Sequence, residues 1–407
     1  MKRILISCTY YEPNISGVTV YARILAEKMV GEGFDITVLS SRFQKNLAKQ
    51  KTKNGVKIKR SRVLFRLSKG VFMPFFWLDA IKEVKKTDIV NCHLPQVESF
   101  ILAILAKIFK KRLIVTHHCE FGIDGLWHNK IIGLVTYPFH FLTYLLADKI
   151  VSYTKDYAYV SIFLRFFKKK LIFVLPPAVV GKENKLKIKE ILRSLELPWD
   201  DGESVILSGS EESQMKCLTP TGSLDFARDD SVKIIGYVGR IGWEKGLNFL
   251  IMACKKINEK RKVKLVLVGP YENVAGDGSY KKLRGLIKKN KDLVVLLGAI
   301  DHEDLANFYK TCDCLVLPST NNLETFGIVQ IEAMVSGCGV VASDLPGVRM
   351  PVKLTGMGKI AKIGDSNDLA KKIEQVLESK YSKKQIKKAR EIFSSERFIK
   401  EYKKIFW

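Results

Sequence analysis

Short apolar runs rich in Val, Ile and Leu alternate with segments of helical periodicity along most of the chain, and this alternation starts twice. The runs of the first half are 3–7, 35–39, 88–92, 113–116, 149–152 and 172–175, and those of the second half are 233–238, 264–268, 293–296, 314–317 and 340–342. A parallel strand with helices on both faces has no polar face, so it is apolar throughout. The pattern predicts an α/β protein with two doubly wound, Rossmann-like domains.

The chain of 407 residues is long enough for two domains of ordinary size. We predict an N-terminal domain over residues 1–180 and a C-terminal domain over residues 231–388. Residues 181–230 between them are rich in charge, Ser, Gly and Thr, and residues 203–230 carry little periodicity of either kind. Because a connection needs far fewer residues, we predict a linker with a disordered insertion there.

The chain is strongly basic, since 68 Lys and Arg against 42 Asp and Glu give a formal net charge of +26. Between Asp35 and Asp79 the sequence has basic residues and no acidic one. Such a block fits an anionic partner, either nucleic acid or a phospholipid surface, and it also fits a solvated face. No helix-turn-helix, ribonucleoprotein or zinc-finger pattern accompanies the charge, so we expect no nucleic acid partner.

Three stretches combine aromatic or aliphatic residues with nearby cations: 71–78, 100–112 and 162–170. Such mixtures suit a bilayer interface, and they also suit ordinary helices whose lysine stems cover a core. A fourth stretch, 131–147, has no formal charge but contains Pro138 and falls short of the ~20 apolar residues of a membrane span. We interpret it as a helix that is buried or lies on a membrane.

Two features indicate a cytoplasmic protein. The cysteines are scattered without a C-x-x-C pair, which is typical of reduced thiols. The first residues lead directly into a predicted strand and show no secretory signal pattern. We therefore expect a cytoplasmic location, extended by the basic and aromatic stretches to the inner face of the cytoplasmic membrane.

Glu324 and Glu332 lie eight residues apart in the segment PSTNNLETFGIVQIEAM, which crosses a strand end, a Phe326-Gly327 turn and the first turns of a helix. A glycine-led helix N-terminus at the carboxyl end of a parallel strand offers free amides to a phosphate. Two isolated carboxylates would otherwise be solvent-exposed charges. The segment resembles the E-x7-E motif of retaining glycosyltransferase family 4, whose GT-B fold has two Rossmann-like domains facing across a cleft.

The resemblance implies a donor site in the second half. Glu324 would bind the hydroxyls of the transferred sugar and Glu332 those of the ribose, with Phe326, Gly327 and Ile328 forming the turn that holds the donor. In the segment GRIGWEKG, which also resembles the family, Gly239, Arg240 and Lys245 would bind the donor diphosphate. Fixed cations stabilise the negative charge that develops as a nucleoside diphosphate departs.

The first half resembles the family in three further places. Ser16-Gly17 stands where a glycine pair is usual in the loop before the first helix, so Gly17 would approach the donor phosphate and Ser16 the acceptor. Thr116-His117-His118 resembles a Thr-x-His segment and implies that His118, not His117, faces the donor sugar. His93 resembles the histidine of a His-x-Pro segment and is a weaker acceptor-side candidate, whereas His302 is interpreted as structural.

The resemblance implies a hexosyltransferase that moves a hexose-type sugar from a nucleotide-sugar donor to a glycan or lipid-linked acceptor of the cell envelope. No two aspartates are separated by one residue, so an Asp-x-Asp metal site is absent from the sequence and we expect neither metal nor cofactor. The alternatives are another GT-B activity, a nucleotide-sugar epimerase or polysaccharide synthase, or a basic nucleic-acid-binding protein. The family also implies a final helix, 389–407, that crosses back to the N-terminal domain.

Overall fold

The computed structural model describes residues 1–14, 16–67, 70–120, 127–181, 184, 231–271, 278–321 and 323–407. The chain divides into two compact units, of which the first comprises Met1–Pro177 with Ser395–Trp407 and the second comprises Ala178–Ser394. The predicted linker, 181–230, lies outside the described residues apart from positions 181 and 184.

The helices and strands of the two units follow the alternation predicted from the sequence. In the first unit they are β1 (Arg3–Ser7), α1 (Gly17–Gly31), β2 (Asp35–Arg42), β3 (Gln50–Lys53), β4 (Val56–Arg62), β5 (Phe65–Leu67), β6 (Gly70–Phe72), α2 (Phe76–Lys86), β7 (Ile89–Leu94), α3 (Ser99–Ile108), β8 (Arg112–His117), α4 (Trp127–Leu146), β9 (Lys149–Ser152), α5 (Lys155–Ala158) and β10 (Leu171–Phe173).

The second unit continues the numbering, and the last helix of the chain belongs to the first unit. The elements are β11 (Lys233–Val238), α6 (Leu247–Asn258), β12 (Val263–Val268), α7 (Gly278–Lys289), β13 (Val294–Gly298), α8 (Leu305–Thr311), β14 (Cys314–Leu317), α9 (Ile328–Val335), β15 (Gly339–Ser343), α10 (Met350–Thr355), β16 (Gly358–Ala361), α11 (Ser366–Leu377), α12 (Lys383–Ile392) and α13 (Ser395–Phe406).

The main sheet of the first unit has the order β10-β9-β8-β7-β1-β2-β4-β3. All its strand pairs are parallel except that of β3 with β4. Strand order reverses between β1 and β7, where Ile4 pairs with Ile89. The reversal matters because ligands of doubly wound sheets bind beyond the carboxyl ends of the strands at such a switch point.

The sheet of the second unit has the order β13-β12-β11-β14-β15-β16, with all pairs parallel. Neighbouring residues of a strand pack on opposite faces of the sheet. Leu265 and Val266 of β12 enter different cores, and so do Leu315 and Val316 of β14: Val266 and Leu315 share one core, and Leu265 and Val316 the other. Both faces are therefore covered, which is why these strands are apolar throughout. The predicted α/β class with two Rossmann-like units is confirmed. The switch point lies between β11 and β14.

The end of the second unit differs from the predicted position 388. Helix α12 packs in the second unit, and the ring of Phe393 just beyond it lies edge-on to Phe326 at 6.2 Å between centroids. The return to the first unit begins at Ser395, later than the predicted 389. The shift has a physical reason, because Ala389 and Phe393 are buried and hold α12 to the second unit.

Residues 131–147, interpreted as a buried or membrane-bound helix, fall largely within α4, which contains Pro138. Among the helices that the structure describes, none has both the length and the apolar character required to cross a bilayer.

Candidate active site

The site of the second unit is formed by the two loops that leave the sheet at its switch point. One loop follows β11 and carries Arg240 and Lys245, and the other follows β14 and carries Glu324. The two strands are neighbours, with Ile235 paired to Cys314. Adjacent parallel strands deliver their following loops to the same edge, so residues far apart in sequence meet there.

Glycines allow these loops to approach closely. Gly239 has φ 149°, and a Cβ there would lie 2.8 Å from the hydroxyl oxygen of Tyr237. Gly246 has φ 74°, and a Cβ there would lie 2.0 Å from the carbonyl oxygen of Pro318. A side chain at Gly246 would therefore force the two loops apart.

Lys245 and Glu324, both predicted site residues, form an ion pair. Lys245 Nζ donates to Glu324 Oε2 at 2.8 Å, and the side chains are 22% and 19% exposed. The pair is partly shielded and still open to solvent, so a polar ligand can compete for either partner. A cation and a carboxylate thus lie together at the switch point.

Arg240 is also paired, although its partner was not predicted. Its Nη2 lies 2.6 Å from Oε1 of Glu244, four residues further along the chain. The hydroxyl of Tyr237 donates to the carbonyl of Arg240 at 2.9 Å and holds the turn. Glu244 could have been identified from the sequence, because it immediately precedes the predicted site residue Lys245.

The turn before α9 presents backbone rather than side chains. Gly327 is the N-cap with φ 77°, and a Cβ there would meet Leu317 at 2.2 Å. The ring of Phe326 is buried, Ile328 is half-buried, and the Gln330 side-chain amide donates to the carbonyls of Phe326 and Val348. Any contact of Phe326 with a ligand is therefore made through its main chain.

Glu332 is 2% exposed, and both of its carboxylate oxygens already have partners. Tyr309 donates its hydroxyl to Oε2 at 2.9 Å, and His302 Nε2 lies 3.1 Å from Oε1. Burial first, and then the Glu332 charge, raise the pKa of Tyr309 well above its ordinary value, so the hydroxyl keeps its proton. His302, which was interpreted as structural, contacts a predicted site residue; that Glu332 receives a ribose stays a prediction.

Two buried polar atoms near the switch points have no hydrogen-bond partner among the described residues. One is Ser319 Oγ, just after β14, and the other is Gln96 Nε2, just after β7. Gln96 uses its other side-chain atom to accept from Ser7 Oγ at 2.9 Å. A buried polar atom without a hydrogen bond is energetically costly. Such an atom therefore indicates a place where a ligand or a water molecule supplies the missing hydrogen bond.

In the first unit the predicted residues His93 and His118 lie together, with His93 Nδ1 2.9 Å from His118 Nε2. Asn91 donates its amide to the Thr116 hydroxyl at 3.0 Å, so its oxygen faces His93 Nε2, also at 3.0 Å. Burial lowers the pKa of His93 to about 3 and keeps the ring neutral. His93 therefore donates to Asn91 and accepts from His118, whose Nδ1 accepts from the Tyr153 hydroxyl.

Both ring nitrogens of His118 have hydrogen-bond partners within the unit, His93 and Tyr153, and the side chain is 3% exposed. Burial, reinforced by His93 and His117, lowers the pKa of His118 well below its ordinary value. His117 bonds to two tyrosine hydroxyls of its own, those of Tyr144 and Tyr157. The prediction that His118 faces the donor sugar stays a prediction, and in this structure its ring belongs to a closed core network.

Ser16 and Gly17 stand at the start of α1. Ser16 is the N-cap: its hydroxyl accepts from the Thr19 amide at 3.3 Å, and the Thr19 hydroxyl accepts from the Ser16 amide at 2.8 Å. Such a capping box satisfies two helix-terminal amides. Gly17, the first helical residue, is exposed, so its main chain is open to a ligand.

Two Rossmann-like units, each with polar side chains at the switch point of a parallel sheet, define the class of two-domain, doubly wound α/β proteins. The profile described as Glycosyl transferases group 1 matches residues 225–392, and that described as Glycosyltransferase Family 4 matches residues 15–179. Between them the two matches take in both units. The chain belongs to the GT-B glycosyltransferases of the family 4 type, as the sequence motifs predicted.

Individual proteins support this assignment. The chain is 26% identical to an uncharacterized glycosyltransferase of Methanocaldococcus jannaschii over 364 residues, 87% of this chain and 83% of that protein. It is 33% identical to the lipopolysaccharide 1,2-N-acetylglucosaminetransferase of Salmonella typhimurium over 129 residues, 31% of this chain and 33% of that protein. The structure of Anabaena HepE in complex with UDP and glucose has a TM-score of 0.72 at 16% identity and covers 100% of this chain and 99% of its own.

Proposed function

We propose that this glycosyltransferase is a retaining hexosyltransferase that uses a nucleotide-sugar donor and a lipid-linked or other cell-envelope glycan as acceptor. The observation that carries the proposal is the Lys245–Glu324 ion pair at the switch point of the second unit, 2.8 Å between Nζ and Oε2. It combines a cation suited to a diphosphate with a carboxylate suited to sugar hydroxyls.

The proposed donor binding is an exchange of partners. In this structure Arg240 pairs with Glu244 and Lys245 with Glu324. A donor diphosphate, with its two negative charges, would take over the cations and leave Glu324 to accept from the hydroxyls of the transferred sugar. The first amides of α9 would add further donors to the phosphate, because the first amides of a helix have no carbonyl partner one turn earlier and Gly327 offers no capping side chain.

The ribose of the donor is assigned to Glu332. Tyr309 and His302 each occupy one of its oxygens and so fix the carboxylate in one orientation. A carboxylate oxygen accepts two hydrogen bonds, which leaves one acceptor position on each oxygen for the ribose hydroxyls. Tyr309 and His302 would therefore be positioning residues for the nucleoside.

The proposed chemistry is substitution on one face of the sugar. The bond from the anomeric carbon to the diphosphate oxygen breaks, the acceptor hydroxyl oxygen forms a bond on the same face, and its proton passes to the departing phosphate. Arg240 and Lys245 would stabilise the charge on the departing group more in the transition state than in the ground state. Because the sequence lacks an Asp-x-Asp pair, we propose that transfer proceeds without a metal.

The acceptor proposal is supported by the Salmonella relative, whose name gives lipopolysaccharide as its substrate, and by the block of the first unit between Asp35 and Asp79, which has basic residues and no acidic one. The donor proposal is supported by HepE, whose structure contains UDP and glucose. We also propose that the protein works in the cytoplasm, peripherally on the inner face of the membrane, because such acceptors are assembled on lipid.

The test incubates the full chain with a panel of radiolabelled nucleotide sugars and a membrane extract. We expect label in a lipid or glycan fraction, an unchanged anomeric configuration by NMR, and full activity with a chelator. Conversion of a donor without any acceptor would instead identify an epimerase, and no turnover of any donor would refute the proposed activity.

Glu324→Gln tests the site. Loss of the charge at the sugar-binding position is expected to reduce transfer by about 10²-fold or more with unchanged thermal unfolding. The matched control is Glu378→Gln, since Glu378 is exposed and has a weak 3.7 Å pair with Arg261. Equal rates for Glu324→Gln and the control would remove Glu324 from the active site.

A further inference from the structure

The aromatic and basic stretches noted in the sequence lie on one layer of the first unit. Helices α2, α3 and α4 pack side by side in that order. Phe100 of α3 lies 4.6 Å from Phe139 of α4 between ring centroids, and Phe141 of α4 lies 5.2 Å from Phe167. We call the solvent side of α2, α3, α4 and residues 159–170 the outer helical face.

Large apolar side chains are exposed to solvent across this face. Leu134 is 74% exposed, and Ile108 and Phe166 are each 63% exposed. The remaining members are Trp77, Leu78, Ile104, Val135, Phe139, Phe141, Leu145, Tyr159, Val160 and Ile162. In the described part of the second unit, by contrast, the exposed large hydrophobics are Trp243, Met252 and Ile363. An apolar surface of this extent on one face marks an interaction site.

Cations border the apolar residues. Exposed lysines and arginines of the face are Lys82, Lys85, Lys86, Lys107, Lys110, Arg165, Lys168 and Lys169. Several lie beside rings: Lys85 Nζ is 5.3 Å from the Phe109 centroid and Lys168 Nζ is 4.9 Å from that of Tyr159. Two acids nearby are paired within the unit, Glu83 with Lys59 and Asp148 with Lys107, so that Lys107 adds no net charge to the face and the other seven cations do. The face is therefore both apolar and positive.

We propose that the outer helical face binds the surface of an anionic lipid bilayer, with its apolar side chains at headgroup depth and its cations on lipid phosphates. This combination is what interfacial binding requires, since apolar burial and attraction to anionic lipid add together. A second copy of the chain would bring like charges together across a twofold axis, so self-association fits the face less well. The inference deepens the proposed membrane location, on which it rests.

The binding test uses the full-length protein and sedimentation with two kinds of vesicle, phosphatidylcholine alone and phosphatidylcholine mixed with phosphatidylglycerol. We expect co-sedimentation with the anionic vesicles at low salt and a large decrease at high salt, because screening weakens the attraction to lipid phosphates. The absence of binding to anionic vesicles at low salt would overturn the proposal.

A triple variant, Ile108→Ser, Leu134→Ser and Phe166→Ser, tests the face itself. These side chains contribute little to the core, so the variant should unfold at the temperature of the wild type while vesicle affinity falls about tenfold or more. The matched control replaces exposed apolar residues of the second unit, Met252→Ser and Ile363→Ser, and should bind like the wild type. Undiminished binding by the triple variant would overturn the assignment of the face.

Two further measurements separate the possible failures. Sedimentation velocity without vesicles detects self-association; a dimer in the wild type that the triple variant abolishes would assign the face to a second copy and overturn the bilayer proposal. Transfer from the labelled donor is measured in parallel on an acceptor dispersed in detergent. Transfer without vesicle binding would refute the face alone, whereas vesicle binding without transfer would refute the proposed function alone.

Discussion

His117 illustrates at the scale of one residue how the core of the first unit keeps histidines neutral. Its Nδ1 lies 2.5 Å from the Tyr144 hydroxyl and its Nε2 3.0 Å from that of Tyr157. Burial, with a smaller contribution from His140, lowers the pKa of His117 to about 3. In the unfolded chain the same ring titrates near pH 6.5.

The pH dependence of His117→Gln follows from this shift. Below about pH 6.5 the unfolded chain binds a proton at His117 that the native state does not bind until about pH 3, so wild-type stability falls by up to about 1.4 kcal/mol per pH unit. The variant lacks this loss. We expect its destabilisation, measured by urea unfolding, to be smaller by about 2 kcal/mol at about pH 5 than at about pH 7.5.

Tyr157→Phe is the control for this prediction, because it removes a hydrogen bond to the same ring without removing the histidine. Its cost should change much less between the two pH values. A cost of His117→Gln that is equal at both pH values would contradict the assigned burial.

At the scale of elements, strand β4 changes the interpretation of the basic block. Arg60 is 4% exposed and donates to the carbonyls of Ala48 and Glu12, both at 3.0 Å. Its neighbours Lys57 and Lys59 pair with acids, Asp35 at 2.8 Å and Glu83 at 2.6 Å. Part of the block is therefore used in hydrogen bonds and ion pairs within the unit, which neither the anionic partner nor the solvated face predicted for these three cations.

The turn between β11 and α6 gives a prediction at the same scale. Gly246→Ala places a Cβ 2.0 Å from the Pro318 carbonyl at a φ of 74°, so both strain and collision oppose it. We expect a loss of more than about 2 kcal/mol in the free energy of unfolding, together with weaker binding of nucleoside diphosphates as Lys245 moves away from Glu324.

Gly285→Ala in α7 is the matched control, since a Cβ there meets nothing within 4 Å. It should stabilise the protein by up to about 1 kcal/mol through helix propensity. Calorimetry and nucleotide titration of both variants provide the check, and a neutral Gly246→Ala would mean that the two loops do not approach as described.

At the scale of the whole molecule, the last helix belongs to the unit in which the chain begins. The hydroxyl of Tyr402 in α13 lies 2.9 Å from that of Tyr21 in α1 and 3.1 Å from Thr116 Oγ1 in β8. Phe398 packs edge-on against Tyr21 at 5.1 Å, and Lys403 pairs with Glu32 at 2.6 Å. Helix α13 therefore completes the core of the first unit.

Deleting residues 395–407 tests this arrangement. The deletion exposes the ring of Tyr21 and removes the Tyr402 partner of its hydroxyl, at a cost of about 1–3 kcal/mol, whereas the Thr116 hydroxyl keeps its hydrogen bond from Asn91. We expect hydrogen exchange to become faster in α1 and β8 and to change little in the second unit. Removal of Trp407 alone, which is largely exposed, is the control and should leave both units unchanged. Equal acceleration in both units would contradict the assignment.

The sequence predicted the main sheet strands because apolar runs mark them, and β1, β9, β11 and β14 have the predicted bounds. It missed β3 to β6 and β16 for identifiable reasons. Strand β4, VKIKRSR, carries four cations and so forms no apolar run. Strand β3, QKTK, is exposed throughout, β5 and β6 have three residues each, and β16 is a short edge strand that begins with glycine. Such strands depend on pairing with a neighbour, which periodicity does not record.

By itself the sequence determined the α/β class, the family and the segments that carry Arg240, Lys245, Glu324 and His118, because these depend on local periodicity and motif spacing. Only the tertiary structure decided which partners these residues have. Lys245 meets Glu324 across 79 positions, and Glu332 lies between Tyr309 and His302. The physical reason is that strand order brings the loops after β11 and β14 to one edge, and that order is set by long-range packing of the sheet.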